Sequence, residues 1–225
     1  MKDRSLTAST QARQPWLSLG FVLLLIGGWL YYPLGYFLLA CMVGAMAIGS
    51  VKGRSWCDWL CPRGSFFDTL LRRVSLGRAV PGLFRHTAFR VGWLLLLMTM
   101  LAIQLTPVWG DFYLMGKPFV MVLTVTTLVG SLLGIFYHQR IWCMFCPMGT
   151  MANWLGRGKM PLMVDAACTG CGTCAEVCRM QINPGAYREA GQVDHGDCLK
   201  CSFCVESCPQ QALAFAGSSK KTRRR

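Results

Sequence analysis

Three stretches of this 225-residue sequence carry no charged side chain at all: Pro15–Val51, Val91–Gly110 and Pro118–Gln139. Gaps of that length exclude an ordinary soluble domain, and with 53% hydrophobic residues they require a membrane part joined to a soluble one. Acidic residues are also scarce, 10 Asp and Glu against 23 Lys and Arg, for a formal charge of +13. The basic residues cluster between and after the apolar runs and no nucleic-acid-binding motif occurs, so the excess belongs to a membrane surface and not to a nucleic acid. Histidine is confined to His86, His138 and His195. No Cys-x-x-Cys-His sequence is present and no two histidines stand at matching depth on facing helices, which excludes a haem and leaves each a surface or interfacial side chain. A nucleotide-binding fingerprint is missing as well.

The apolar runs have membrane dimensions, a spanning helix needing about 17–25 apolar residues. The first run is too long for one helix, and Tyr32-Pro33-Leu34-Gly35 breaks it, which predicts helix one over about Trp16–Tyr32 and helix two over about Leu34–Ser50. A signal peptide is the competing reading, because basic residues precede the run and Leu39-Ala40-Cys41 hints at a lipoprotein cleavage site. That triplet lies beyond the Pro33 break, in a second run long enough to span by itself, so cleavage is rejected and Cys41 reads as packing. Between the other two runs the loop carries only Asp111 and Lys117, beside Trp109, Phe112 and Tyr113 placed like interfacial aromatics. Residues 52–90 hold eight basic residues against Asp58 and Asp68, and Arg140, Arg157 and Lys159 follow the last run. Four crossings with both termini and the C-terminal domain on the cytoplasmic face satisfy every loop. Within 52–90, Ser65 and Asp68 are spaced as a capping box, and Phe66, Phe67, Leu70, Leu71 and Val74 recur at helical spacing. They predict an amphipathic helix lying on the membrane or packed against the C-terminal domain.

Against these shortages stand 13 cysteines. Cys168, Cys171, Cys174 and Cys178 form a C-x2-C-x2-C-x3-C run, and Cys198, Cys201, Cys204 and Cys208 repeat it. Three thiolates two residues apart sit on one tight loop and point at three corners of a cubane, and the fourth cysteine cannot fold back to close it. Zinc ribbons use two C-x2-C pairs separated by a longer loop, and a reducing compartment suits so many thiols better than disulfides. The stretch resembles a bacterial 2[4Fe-4S] ferredoxin. That resemblance implies crossed ligation: Cys168, Cys171, Cys174 and Cys208 for one [4Fe-4S] cluster, Cys198, Cys201, Cys204 and Cys178 for the second. Bound clusters would offset several of the positive charges. The chain departs from the pattern once, with Arg179 where the proline after the fourth cysteine is expected.

The remaining cysteines reveal an internal repeat. Arg54-Ser55-Trp56-Cys57 leads to Cys61-Pro62-Arg63-Gly64 after the second helix, and Arg140-Ile141-Trp142-Cys143 leads to Cys146-Pro147-Met148-Gly149 after the fourth. Two close thiols beside an arginine and a helix start are placed to be deprotonated, the form that binds metal or exchanges disulfides; packing cysteines are the plainer alternative. Helices two and four run the same way, so Cys57, Cys61, Cys143 and Cys146 are expected to converge, as a third iron-sulfur cluster or as two redox dithiols.

Four helices, two such motifs and a double ferredoxin resemble the NapH family of membrane ferredoxins, with related modules in NosR and CcoG proteins. The second motif departs in having two residues between its cysteines where the family has three. The resemblance implies a mainly α membrane protein: a four-helix transmembrane bundle of two repeated hairpins with a C-terminal α+β 2[4Fe-4S] ferredoxin-like domain. The expected divisions are an arm (1–15), hairpin one (16–51), a basic loop (52–90), hairpin two (91–139), the second motif (140–160), the ferredoxin domain (161–217) and a basic tail (218–225). It further implies residence in the inner membrane and electron transfer between quinol and a partner ferredoxin or reductase subunit. An accessory role in the maturation of a respiratory enzyme, and redox sensing, are the alternatives.

Overall fold

The computed structural model describes residues 2–216, with side chains from Ala12 onward, and the expected basic tail lies outside them. The chain begins in a long helix, α1 (Lys2–Leu30), so the expected polar arm is its first half. Pro15 sits inside this helix, and the turns before it stay helical although proline removes a backbone donor. Packing compensates: Gln14 and Ser18 are buried where α1 lies along α4, and the Gln14 amide donates to Asp68 at 3.2 Å. Tyr31 is extended, Pro33 opens a 3-10 turn over Tyr32–Tyr36, and the chain reverses into α2 (Phe37–Lys52), as the proline predicts.

After α2 come two short helices, α3 (Trp56–Trp59) and α4 (Pro62–Leu70), then α5 (Thr87–Leu105) and α6 (Gly116–Phe136). Among the described residues three helical stretches are long and apolar enough to cross a membrane: Tyr32–Arg73, Thr87–Val108 and Gly116–Phe136. The first of these is a composite whose apolar part is α2. Helix α1, expected as another crossing, is not among them. At the far end of the bundle Tyr36 stacks on Phe112 and donates its hydroxyl to the Phe112 carbonyl at 2.9 Å, while Tyr31 and Tyr32 meet Tyr113. Of the interfacial aromatics expected from the sequence, Phe112 and Tyr113 join this cluster, while Trp109 is exposed.

The capping box is a correction. Helix α4 starts at Pro62, three residues before Ser65, because proline's fixed φ and missing N–H suit a first helical position. Its N-cap is Cys61, whose sulfur accepts from the Gly64 N–H. Ser65 and Asp68 are buried instead, and Phe67 is fully enclosed, so this segment packs into the protein.

The second repeat copy has the same build, α7 (Ile141–Phe145) then α8 (Pro147–Leu155), with Cys146 as N-cap and Pro147 opening the helix. The C-terminal domain follows as a three-stranded antiparallel sheet in the order β2-β1-β3. Its strands are β1 (Leu162–Val164), β2 (Gln192–Val193) and β3 (Leu213–Phe215). Leu162 pairs with both Val193 and Phe215, and all three side chains face inward. Two single-turn helices complete it, α9 (Thr173–Glu176) and α10 (Phe203–Glu206), each entered through a left-handed residue, Gly172 and Ser202.

Candidate functional site

Each single-turn helix carries the third cysteine of its run, Cys174 on α9 and Cys204 on α10, and then passes the fourth to the opposite side. Consequently Cys168, Cys171, Cys174 and Cys208 line one pocket, and Cys178, Cys198, Cys201 and Cys204 line another. Among the described residues no three His, Cys, Asp or Glu side chains converge on a single-ion site. The cysteines thus surround spaces and not a zinc-sized point, and four soft thiol donors around a cavity fit a [4Fe-4S] group. The two cavities differ in exposure. Burial pushes the Cys201 thiol up to about 12, whereas Cys171 is exposed and held below the ordinary thiol value by hydrogen bonds from Thr173.

The four cysteines of the repeat also come together: Cys57, Cys61, Cys143 and Cys146 line a single apolar cavity below the bundle, along with Cys41 from α2. Cys41, expected as packing, thus lies against the same cavity. The two copies interlock around the cavity. Arg54 donates through Nη2 to the Cys143 carbonyl, and Arg140 donates through Nη1 to the Cys57 carbonyl at 2.8 Å. Each guanidinium crosses to the other copy and lies against its Cys-Pro-x-Gly glycine. A Cβ on Gly149 would stand 2.6 Å from Arg54 Nη2, and one on Gly64 would stand 3.0 Å from Arg140 Nη1. The arginine, first cysteine and glycine of the repeat are thereby explained as one device, used twice.

The expectation that arginine ionises these thiols does not hold at Cys143. Burial pushes this thiol up to about 11 despite Arg140 and Arg54 nearby, because removing a thiolate from water costs more than the neighbouring cations return. A buried thiol of this kind is a poor disulfide-exchange nucleophile, while coordination to a metal deprotonates it outright.

Below the cavity runs a seam of buried ion pairs between the two halves of the protein. Arg179, at the position lacking its proline, pairs with Asp58 at 3.0 Å and Asp68 at 2.7 Å, and its guanidinium lies 4.1 Å over the Phe203 ring. Arg140 grips Asp68 with Nε at 2.8 Å and with Nη2. On the other side Asp197 accepts from Arg54 at 2.7 Å and Arg90 at 2.6 Å. Burial alone would raise the Asp197 carboxyl, but these two arginines hold it below the ordinary carboxylate value. Asp58, Asp68, Asp197 and Arg90 were absent from the expected site. The available signal was position, since Asp58 follows Cys57 and Asp197 precedes Cys198 in a chain poor in acid. His86, His138 and His195 each accept a backbone N–H two residues on, as turn and capping groups do.

Comparison with known families matches both halves. A model described as a 4Fe-4S binding domain covers residues 34–81 and 118–162, that is, both repeat copies, and a 4Fe-4S dicluster domain covers 167–213. The chain carries 4Fe-4S domains in both its parts. It is 24% identical to an uncharacterized protein of Methanocaldococcus jannaschii over 91% of this chain and 82% of that one. It is 26% identical to an Escherichia coli protein named for electron transport, YccM, over 75% of this chain and 52% of that one. It is 31% identical to the methylamine utilization ferredoxin-type protein MauN of Methylobacillus flagellatus, over 72% of this chain and 62% of that one. No solved structure matches the chain. An iron-sulfur protein with ferredoxin-type domains and membrane-length helices is what these findings support, without singling out the NapH family.

Proposed function

We propose that this protein is a NapH-like membrane component that carries electrons between quinol and a soluble ferredoxin or reductase subunit, using three [4Fe-4S] clusters. The observation that carries the reading is the convergence of Cys57, Cys61, Cys143 and Cys146 on one cavity between the membrane helices and the double-ferredoxin fold. Four thiols are the full ligand set of a cubane, and both copies fall inside the matched 4Fe-4S binding domain. The names of the YccM and MauN relatives point the same way. When bound, such clusters supply one-electron steps. The residues of this chain hold them, keep water away and neutralise their charge through Arg54 and Arg140.

The proposal includes four crossings with both termini inside. Helix α1 runs the length of the bundle, from the Gln14 contact with Asp68 to the Trp29 indole donating to Thr124 at 3.2 Å and the Tyr31 contact with Tyr113. Its lower half lies beside α4 at the level of the ion seam, and its upper end reaches the aromatic cluster.

Two measurements test the reading. Iron analysis should find about twelve irons per chain, falling to about eight in a Cys57→Ser Cys143→Ser double variant; about eight in both would remove the third cluster. Adding a reduced quinol to the oxidised protein in membranes should bleach the cluster absorbance. No bleaching with any physiological quinol would favour an accessory role in enzyme maturation.

A further inference from the structure

The two cavities of the C-terminal domain are unequal in their ties to the rest of the protein, and the ties are specific. Asp58 follows Cys57, Arg179 follows Cys178, and the two side chains pair at 3.0 Å with Asp58 fully buried and Arg179 one-tenth exposed. On the opposite side Arg54 joins the Cys143 carbonyl to Asp197, the residue before Cys198, with both side chains 2% exposed. Both bridges leave side chains of the first repeat copy, Arg54 also holding the second copy through the Cys143 carbonyl, and both end beside cysteines of the same quartet, Cys178, Cys198, Cys201 and Cys204. The other quartet faces away, with Cys171 exposed and Arg188 on the surface against Gly170.

We infer that Arg179 and Arg54 are positioning residues that hold the Cys178, Cys198, Cys201 and Cys204 centre against the membrane-edge cysteines, leaving the Cys168, Cys171, Cys174 and Cys208 centre as the solvent-side member of the pair. The order is set by the chain's own ion pairs, and the arginine that replaces the usual proline is part of the device. A proline at 179 would leave Asp58 and Asp68 without this cation. The inference rests on the proposed clusters of the C-terminal domain, and is independent of whether the repeat cysteines hold a third.

The test is paramagnetic relaxation of the reduced cluster signals in the full-length protein, using a soluble dysprosium chelate as probe. Signals are assigned by their loss in Cys178→Ser and Cys208→Ser. Should a ligand change prevent folding, the exposed substitution Arg188→Gln assigns the solvent-side signal by shifting its potential. The expected result is strong relaxation enhancement of the signal lost in Cys208→Ser and weak enhancement of the one lost in Cys178→Ser. Arg179→Gln should raise the enhancement of the second signal towards that of the first, and Arg179→Lys should restore part of the protection. Equal enhancement in the unmodified protein, or the reverse order, overturns the inference. So does an Arg179→Gln protein whose two signals are unchanged. Iron content measured on the same samples separates these results from failure of the third-cluster reading, which would lower the iron and leave the order intact.

Discussion

A single methyl group is enough to test the interlocked arginines. At Gly149 an added Cβ meets Arg54 Nη2 at 2.6 Å, and this guanidinium cannot swing aside because Asp197 and the Cys143 carbonyl hold it. Gly149→Ala is expected to cost about 1–3 kcal/mol of stability, the range for forcing extra volume into a packed site. Gly82→Ala, with nothing near the new atom, should stay within about 0.5 kcal/mol. Thermal unfolding of the two purified variants measures the contrast, and equal melting would mean that the glycine makes no room for the arginine. Asp197 offers the complementary experiment. Asp197→Ala leaves Arg54 and Arg90 buried without their carboxylate, a loss of about 3–5 kcal/mol for one partner of a buried pair. A variant as resistant to heat and protease as the parent would show that the seam contributes nothing. At this scale the cysteines were legible because ligand spacing is local, two or three residues along one loop. The arginines were legible only as parts of a repeat, and the partner carboxylates lie 72 to 143 residues away, beyond any local pattern.

At the scale of elements, α9 and α10 decide which cysteines share a cavity. Each is a single turn, too short to be stable alone, and is held by the packing of Cys174 and Cys204 into one core with Leu162, Val193 and Leu213. That core fixes where Cys178 and Cys208 emerge. Cys178→Ser should therefore damage the cluster of Cys198, Cys201 and Cys204, and Cys208→Ser the cluster of Cys168, Cys171 and Cys174. Spectra in which each change damages the cluster nearest in sequence would sink the crossed arrangement. The membrane helices were legible from charge-free runs and the Pro33 break, and the structure places their ends within a few residues of expectation. Two elements differ from expectation, the start of α1 and the cap of α4. At the second of them Asp68 accepts from Gln14, Arg140 and Arg179, and Pro62 has already opened the helix three residues earlier.

For the whole molecule the seam constrains topology as charge counting alone cannot. Arg54 follows α2 and pairs with Asp197 of the C-terminal domain, while Arg140 follows α6 and shares Asp58 and Asp68 with Arg179 of that domain. In the proposed topology the ends of both helices and the C-terminal domain lie on one face of the membrane, because moving either helix end to the other face would break these buried ion pairs. The proposed orientation puts that face inside the cell, on the strength of the basic loop between Lys52 and Arg90. A reporter active only outside, fused after Arg225, should stay silent, and one inserted in the loop between Trp109 and Lys117 should be active. A signal from the C-terminal fusion with silence from the loop would invert the protein in the membrane. Activity from both fusions would be more damaging, since it requires the C-terminal domain to be detached from the helical part that four buried ion pairs of the seam join to it.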